Sequence, residues 1–438
     1  MPHAPAGRNQ RLRGESMLDI KFIRENLDLV KQSLANRNSK LNLDEVVSLD
    51  ESRRKFLSEL EDLRAQKNKA NDEISKLLKD KLDPKEKIAS MKTISEQSAK
   101  LEDELRQAEE KLNAVLLTIP NICHSTVPVG SPDQAKIIRT WGEPKKPDFK
   151  VLTHVEIAER LDIIDFPRAS KISGSNFILF KGWGAKLERA LINFMLDLHT
   201  KRHGYTEISP PYLVNRKTMT GTGQLPKMED DMYKIQGEDM FLIPTAEVPV
   251  TNIYSDEILE EKNLPIYLTA YTACFRKEAG SYGKDTKGMM RVHQFDKVEM
   301  VKFVKPENSY AELETLVANA EEVLQALGLT YRVIALTTQD ISFAASKCYD
   351  LEAYAPGIDK WLEVSSCSNF ENFQARRANI KFRKQDTKKT DFVHTLNGSG
   401  VALARTVIAI LENYQQKDGS VIIPECLRSY LDGQERIG

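Results

Sequence analysis

The chain has 438 residues, and at roughly 100 to 200 residues per domain it accommodates two or three domains with cores of their own, which excludes a small stapled scaffold. Hydrophobic residues make up 41% and charged residues 29%, with 21 Gly and 18 Pro, so disorder, collagen-like repeats and low complexity are excluded too. Lys plus Arg total 63 against 64 Asp plus Glu, a net charge of -1, so any polyanion must be met by a local patch rather than by the chain as a whole.

No apolar run reaches the roughly 18 residues of a membrane helix. The greasiest stretch, Val401 to Leu411, is interrupted by Arg405, and no membrane partner is expected. Cys123, Cys274, Cys348, Cys367 and Cys426 form no Cys-x-x-Cys pair and have no His at zinc spacing. They read as reduced thiols of a cytoplasmic protein, and no zinc is expected. Residues 1–16 are an unassigned tail carrying Arg8, Arg11 and Arg13 but no apolar h-region, and Met17 is an alternative start.

Residues 17–120 read as an N-terminal domain, opening with a short helical segment over Met17 to Leu43. From Phe56 the apolar or small positions step by four and three through Leu60, Leu63, Ala70, Ile74 and Leu77, with Lys67 as the one charged exception. After Asp83-Pro84 the stepping resumes through Met91, Ile94, Ser98, Leu101, Leu105, Ala108, Leu112 and Val115. Two long helices, over about 45–117, would then bury their narrow stripes on each other as an antiparallel hairpin roughly 45 to 50 Å long. Such a rod serves either as an oligomerisation coil or spacer, or as a binding arm. Arg53, Arg54, Lys55, Arg64, Lys67 and Lys69 cluster on its first helix and could meet phosphates.

A proline-rich stretch over 121–147 reads as an extended linker, and 148–438 as a second domain. Its helix signals are Leu187, Leu191, Phe194 and Leu198 on one face, and Ser309 to Leu327 with a Ser309-x-x-Glu312 capping box and Gly328 as terminator. Strands are predicted at Asn176–Phe180, Met240–Ile243, Ile266–Phe275, Val292–Val304, Tyr331–Thr337, Cys348–Ala353 and Trp361–Val364. Many short strands with few intervening helices argue for an antiparallel α+β sheet domain, not a doubly wound one. No P-loop and no dinucleotide-binding Gly motif is present.

Four segments bring chemistry to strand ends. Arg276 and Glu278 close one strand on a common face, followed by a Gly- and Lys-rich cationic loop over Ser281 to Met290, and Phe295 and Glu299 share a face of the next. Alone, an Arg-x-Glu pair on a strand is more commonly a solvated cross-strand ion pair. Thr245-Ala246-Glu247 follows an apolar strand, while Glu363-Val364-Ser365-Ser366 offers oxygens of the kind magnesium prefers at phosphates. Asn397-Gly398-Ser399-Gly400 reads as a glycine turn feeding an apolar helix with a lone Arg405, an arginine that is costly there unless it faces an anion.

These segments resemble the seryl-tRNA synthetases, class II aminoacyl-tRNA ligases, in their bacterial or organellar form. Gly204-Tyr205-Thr206-Glu207-Ile208 with Pro211 resembles motif 1 of the class, Phe275-Arg276-Lys277-Glu278 through Glu299 motif 2, and Gly398 to Arg405 motif 3. Thr245-Ala246-Glu247, the stretch Gly221 to Pro226 and the helical hairpin point to the seryl member, and the resemblance covers the chain from Met17. Ala404 departs from it, standing where the class usually has Gly.

The resemblance implies a class II catalytic domain behind a tRNA-binding hairpin, a homodimer built partly by motif 1, ATP as substrate with magnesium, and serine as the amino acid. It implies tRNA(Ser) as acceptor, with tRNA(Sec) a second candidate. It further implies that Arg276, Glu363 and Arg405 are catalytic, and that Thr245, Ala246, Glu247, Arg276, Glu299, Asn397 and Ser399 bind serine. ATP would be held by Arg276, Lys277, Glu278, Val292, Phe295, Glu363, Val364, Ser365, Ser366 and Arg405, with magnesium on Glu363 and Ser366. Competing readings are a class II-like ligase charging a carrier protein, a catalytically dead paralogue and a coiled-coil scaffold. The hairpin argues against the first, and the presence of Arg276, Glu278, Glu363 and Arg405 against the others. The 33 residues after Arg405 are too few for the anticodon-binding domain that follows motif 3 in glycyl, threonyl or prolyl relatives.

Overall fold

The computed structural model describes residues 18–145, 147–279 and 288–438, which form two compact units, 18–35 with 39–119, and 36–38 with 120–438. The N-terminal tail, the Met17 start, Gly280 and most of the cationic loop lie outside the described residues.

In the first unit two short helices, Ile20–Glu25 and Leu27–Asn36, precede the long pair α1 (Leu43–Lys79) and α2 (Lys85–Leu116). The Asn42 side chain caps α1 by accepting from the Asp44 N–H at 2.9 Å. Leu60, Ala70, Leu101, Ala108 and Leu112 are buried along the expected seam, and Lys67 is half-buried within it, its stem covering apolar surface. Ion pairs between the helices run in antiparallel register: Arg53 with Glu109 at 3.2 Å, Arg64 with Glu102 at 3.2 Å, and Lys87 with Glu73 at 2.6 Å. Arg54 pairs with the buried Asp50 and Lys55 with Glu59. Four of the six cations expected to form a phosphate patch are therefore already engaged within the hairpin.

The second unit is built on an eight-stranded sheet. In chain order its strands are β1 (Lys136–Trp141), β2 (Thr206–Glu207), β3 (Ile266–Phe275), β4 (Gln294–Val304), β5 (Tyr331–Ala335), β6 (Lys347–Ala355), β7 (Lys360–Asn369) and β8 (His394–Ala402). Across the sheet they run β1-β5-β6-β7-β8-β4-β3-β2, all antiparallel except β2 against β3. The helices α3 (Trp183–Lys201), α4 (Ser309–Ala326) and α5 (Leu403–Tyr414) bury their apolar residues with Val298, Met300, Leu396 and Val401 of the central strands. Alternation along β4 leaves Phe295, Lys297 and Glu299 to the opposite face.

Several expectations are corrected. Asn176–Phe180 is not a strand, because Asn176 adopts φ +62° and only Phe180 makes an isolated bridge, to Ile164. The stretch expected as a plain linker contains β1, an edge strand paired with β5. The Ser309-x-x-Glu312 capping box is not formed. Ser309 Oγ donates to the Pro306 carbonyl, and Glu312 instead accepts from the buried Lys302 ammonium at 2.9 Å, an ion whose burial demands a partner. Gly328 does end α4, at φ +62°.

The segment Asn397 to Gly400 is strand, not turn. Gly398 and Gly400 serve close approach: a Cβ would lie 2.7 Å from Cys367 Sγ at the first and 2.6 Å from His199 Nε2 at the second.

A buried carboxylate ties α5 to the rest of the unit. Glu412, 1% exposed, accepts from the His154 backbone N–H at 2.9 Å, from His154 Nδ1 at 2.9 Å, and from the N–H groups of Gly357 and Ile358 at 2.8 and 3.2 Å. This fixes the imidazole tautomer, so that Nε2 is free to accept from the Met289 N–H at 3.4 Å. Glu412→Ala strands four donors, the two of His154 buried and those of Gly357 and Ile358 partly so, and urea denaturation of the variant is expected to show a loss of about 3 kcal/mol.

Candidate active site

A cavity of about 720 Å³ opens on the β4 face. Thr245, Glu247, Arg276, Glu278, Val292, Phe295, Glu299, Glu363, Val364, Ser365, Ser366, Asn397, Ser399 and Arg405 all line it. Two predicted residues do not. Ala246 is fully buried, packed in an apolar cluster with Val250 and Val301. Lys277 is exposed, held by its backbone N–H donating to the Asp231 carbonyl.

Register explains most of the convergence. On β4, Glu299 stands between Ala270 of β3 and Ser399 of β8, so a carboxylate and a hydroxyl residue share the sheet centre. Glu363 and Ser366, three apart on β7, would face opposite ways on a regular strand. A bulge between Glu363 and Ser365 shifts the phase by one residue and brings both to the cavity. Arg276 and Glu278 lie beyond the end of β3, contrary to the expected strand geometry, and Glu278 turns inward through φ +52°.

The amino-acid end of the reading is a hydrogen-bonded cluster. Thr245 Oγ1 donates to Glu299 Oε2 at 3.0 Å, and Gln374 Nε2 donates to Glu247 Oε1 at 2.6 Å. Gln374 is itself oriented by Thr395 Oγ1, which donates to its Oε1 at 2.8 Å. Burial, and then the Glu299 charge, push the Glu247 carboxyl up to about 7. Lys297, which sequence reasoning did not single out, pairs with Glu299 inside this cluster. The signal was available, since Lys297 shares the alternation phase of Phe295 and Glu299.

At the other motifs, Arg276 lies over the Phe295 ring at 5.2 Å and donates from Nε to the Pro244 carbonyl at 3.3 Å. Its backbone is fixed by mutual bonds with His293, whose carbonyl accepts at 2.9 Å and whose Nδ1 meets the Arg276 carbonyl at 3.0 Å. Arg291 pairs with Glu278 at 3.2 Å. Arg405 donates to the Glu363 carbonyl at 2.8 Å, pairs with its carboxylate at 3.3 Å and donates to the Met290 carbonyl at 3.4 Å. Asp350 of β6, which does not line the cavity, lies opposite Ser366, and burial together with the Glu363 charge pushes its carboxyl up to about 8. Among the described residues no three His, Cys, Asp or Glu side chains converge on a metal point. The half-exposed Glu363 carboxylate and the Ser366 hydroxyl suit a hard cation that completes its shell with phosphate oxygens.

A carboxyl held above its ordinary 4.5 carries a proton that the unfolded chain has lost, so Glu247 withdraws stability as pH rises from 4.5 to about 7. In Glu247→Gln this withdrawal is gone. Scanning calorimetry should find the difference in Tm, variant minus parent, growing over that window and level above it.

Comparison with known proteins follows the same division of the chain. Residues 17–123 match the family model described as the seryl-tRNA synthetase N-terminal domain, and residues 228–414 that of the tRNA synthetase class II core domain (G, H, P, S and T). A serine–tRNA ligase of Geobacter sulfurreducens is 56% identical over 96% of this chain and 100% of its own length, and one of Thermodesulfovibrio yellowstonii 57% identical over 95% and 99%. Among solved structures, the Pyrococcus horikoshii seryl-tRNA synthetase complexed with ATP superposes with a TM-score of 0.90 at 40% identity, covering 96% of this chain and 99% of that one. The cytoplasmic serine–tRNA ligase of Naegleria fowleri in complex with AMP gives 0.86 at 30% identity, covering 96% and 98%. With relatives this similar along nearly its whole length, the chain belongs to the seryl-tRNA synthetase family.

Proposed function

We propose that the chain activates L-serine with ATP and transfers it to the terminal ribose of tRNA(Ser), with tRNA(Sec) as a further acceptor. The observation that carries this reading is one cavity that combines an acidic cluster suited to an ammonium, Thr245, Glu247 and Glu299, with two guanidinium groups suited to phosphates, Arg276 and Arg405.

The serine carboxylate attacks the α-phosphorus, forming a P–O bond as the α–β anhydride bond breaks and pyrophosphate leaves. An anion needs no general base, and the job of the protein is to align the two reactants and neutralise charge on the phosphorus. Arg276 bridges carboxylate and α-phosphate. Glu278 accepts from the adenine amino group, Val292 and Phe295 shape the base slot, and Arg405 pairs with the γ-phosphate. Magnesium, held by Glu363 and Ser366, would supply charge neutralisation at the phosphates. Val364 and Ser365 line the adjoining wall. Glu299 and Glu247 take the serine ammonium, and Asn397 and Ser399 stand near its hydroxyl. A pocket that hydrogen-bonds this hydroxyl rejects alanine and glycine because its polar groups would be left unpaired, whereas threonine must be refused by shape.

The hairpin α1–α2 is the tRNA arm in this reading, meeting an RNA helix by shape and phosphate contact, with Lys67 and Lys69 among its cations. Family membership also supports a homodimer formed partly through residues 204–211, and a cytoplasmic location accords with the lack, among the described residues, of any helix long and apolar enough to cross a membrane.

ATP–pyrophosphate exchange tests the first half-reaction. Exchange should require serine, ignore threonine, alanine and glycine, and proceed without tRNA. Arg276→Ala is expected to lower it by about a thousand-fold with circular dichroism and Tm unchanged, and retained exchange would remove Arg276 from its role. Deleting residues 60–98 should leave exchange intact and raise the KM for tRNA by about a hundred-fold.

A further inference from the structure

β4 turns Lys297 and Glu299 to the same face, and both side chains are buried, 7% and 2% exposed. The Lys297 ammonium pairs with Glu299 Oε2 and donates to Thr245 Oγ1 at 2.9 Å. Thr245 Oγ1 also accepts from the Glu247 N–H at 3.2 Å and gives its own proton to Glu299 Oε2 at 3.0 Å. A hydroxyl has one proton and two lone pairs, so its capacity is filled while Lys297 stays in place. An α-ammonium entering this cluster finds Glu299 and Thr245 already holding an ammonium.

We propose that Lys297 is a specificity-determining positioning residue: a resident ammonium that holds Glu299 and Thr245 in register while the subsite is empty, and yields them to the α-ammonium of serine. The proposal rests on the reading of Thr245 and Glu299 as the ammonium subsite. A buried carboxylate without a counter-charge takes up a proton. Lys297 keeps Glu299 paired and aimed before substrate arrives. Exchanging one ammonium for another leaves the carboxylate satisfied, whereas a hydroxy acid lacking the amine offers nothing that displaces Lys297, so the arrangement selects against it.

The other titratable groups facing the pair are Glu247, on the helix Glu247–Thr251, Arg276 beyond β3, and the thiols of Cys274 on β3 and Cys367 on β7. Burial pushes both thiols up, so they stay neutral. Glu247, whose carboxyl already feels the Lys297 charge, is the second carboxylate of the cluster, an acceptor that the displaced ammonium would share with serine.

The test is serine KM in ATP–pyrophosphate exchange, measured from about pH 6.5 to about pH 8.5 on the full chain and its Lys297→Met variant. Without the resident ammonium the Glu247 carboxyl loses a charge that holds it down and keeps its proton to higher pH, so log KM for serine should fall more steeply with pH than in the parent. At the upper end it should drop about ten-fold below the parent value, the worth of one charge-assisted hydrogen bond no longer broken on binding, with KM for ATP unchanged. A serine KM raised at every pH overturns the proposal, because Lys297 would then be a ligand of bound serine. An unaltered profile, or a parallel loss in serine KM, ATP KM and Tm, overturns it as well. Should the methionine variant not fold, Lys297→Gln answers to the same outcomes. Glu299→Gln separates the two readings: an unchanged serine KM there removes the ammonium subsite itself, while a raised one leaves Lys297→Met to decide the resident-ammonium proposal alone.

Discussion

A buried carboxylate paired with a lysine inside an eight-stranded sheet is the constraint around which the catalytic unit is arranged. Glu299 is 2% exposed and has Ala270 on one side and Ser399 on the other. Desolvating such a group costs several kcal/mol unless hydrogen bonds and a cation replace the lost water. Thr245 and Lys297 supply them, and each is delivered by a different part of the chain: Lys297 by the alternation of β4, Thr245 by the turn before the helix Glu247–Thr251. The opposite face of the same strand carries Val298 and Met300 into the helix-covered core. One strand thus separates a polar face from an apolar one, and a register slip of one residue would exchange them.

Period-two alternation made β3 and the bulk of β4 legible from the sequence, because both faces of these strands carry a clear chemical signature. The β8 segment was less so. Asn397-Gly398-Ser399-Gly400 has the composition of a turn, and what makes it a strand is packing that no local signal carries: Cys367 and His199 stand where side chains would otherwise be. The capping box failed for a related reason, since Glu312 is claimed by Lys302, a residue brought to it by the sheet. The bulge in β7 is the same kind of information. Residue types at 363 and 366 suggested oxygen donors, but only the bulge puts them on one face. Lys277 and Ala246 mark the converse limit, where a resemblance carried whole motifs and the structure shows single members pointing elsewhere.

The hairpin separates two uses of charge. Its seam was readable because a narrow apolar stripe on an otherwise polar helix has nowhere to go but its twin. The function of its cations was not, because net charge and clustering do not reveal which ions are paired. Arg53 and Arg64 reach across to Glu109 and Glu102, where they fix the register of the two helices. A cation used in that way still contributes to the long-range field felt by a polyanion, although its local hydrogen bonds are already made. In the proposed reading, electrostatic attraction of RNA and antiparallel pairing of the helices would therefore draw on the same side chains.

The cavity shows a comparable economy. Lys297 with Glu299, Arg405 with Glu363 and Arg291 with Glu278 are three ion pairs within the protein, each containing a group that the proposed substrates would address. A site of single unpaired charges would bind ions of the right sign indiscriminately, and burying such charges would destabilise the fold. Pairing them inside the protein lowers both hazards, and it converts binding into an exchange of partners, in which a ligand gains only the difference between its own contacts and those it replaces. That difference is small for an ion with one matching group and large for a molecule that satisfies several pairs together. In the proposed reading the nucleotide addresses two of these pairs and the amino acid the third, together with Arg276 and Glu247, so the arrangement favours them by geometry rather than by net charge.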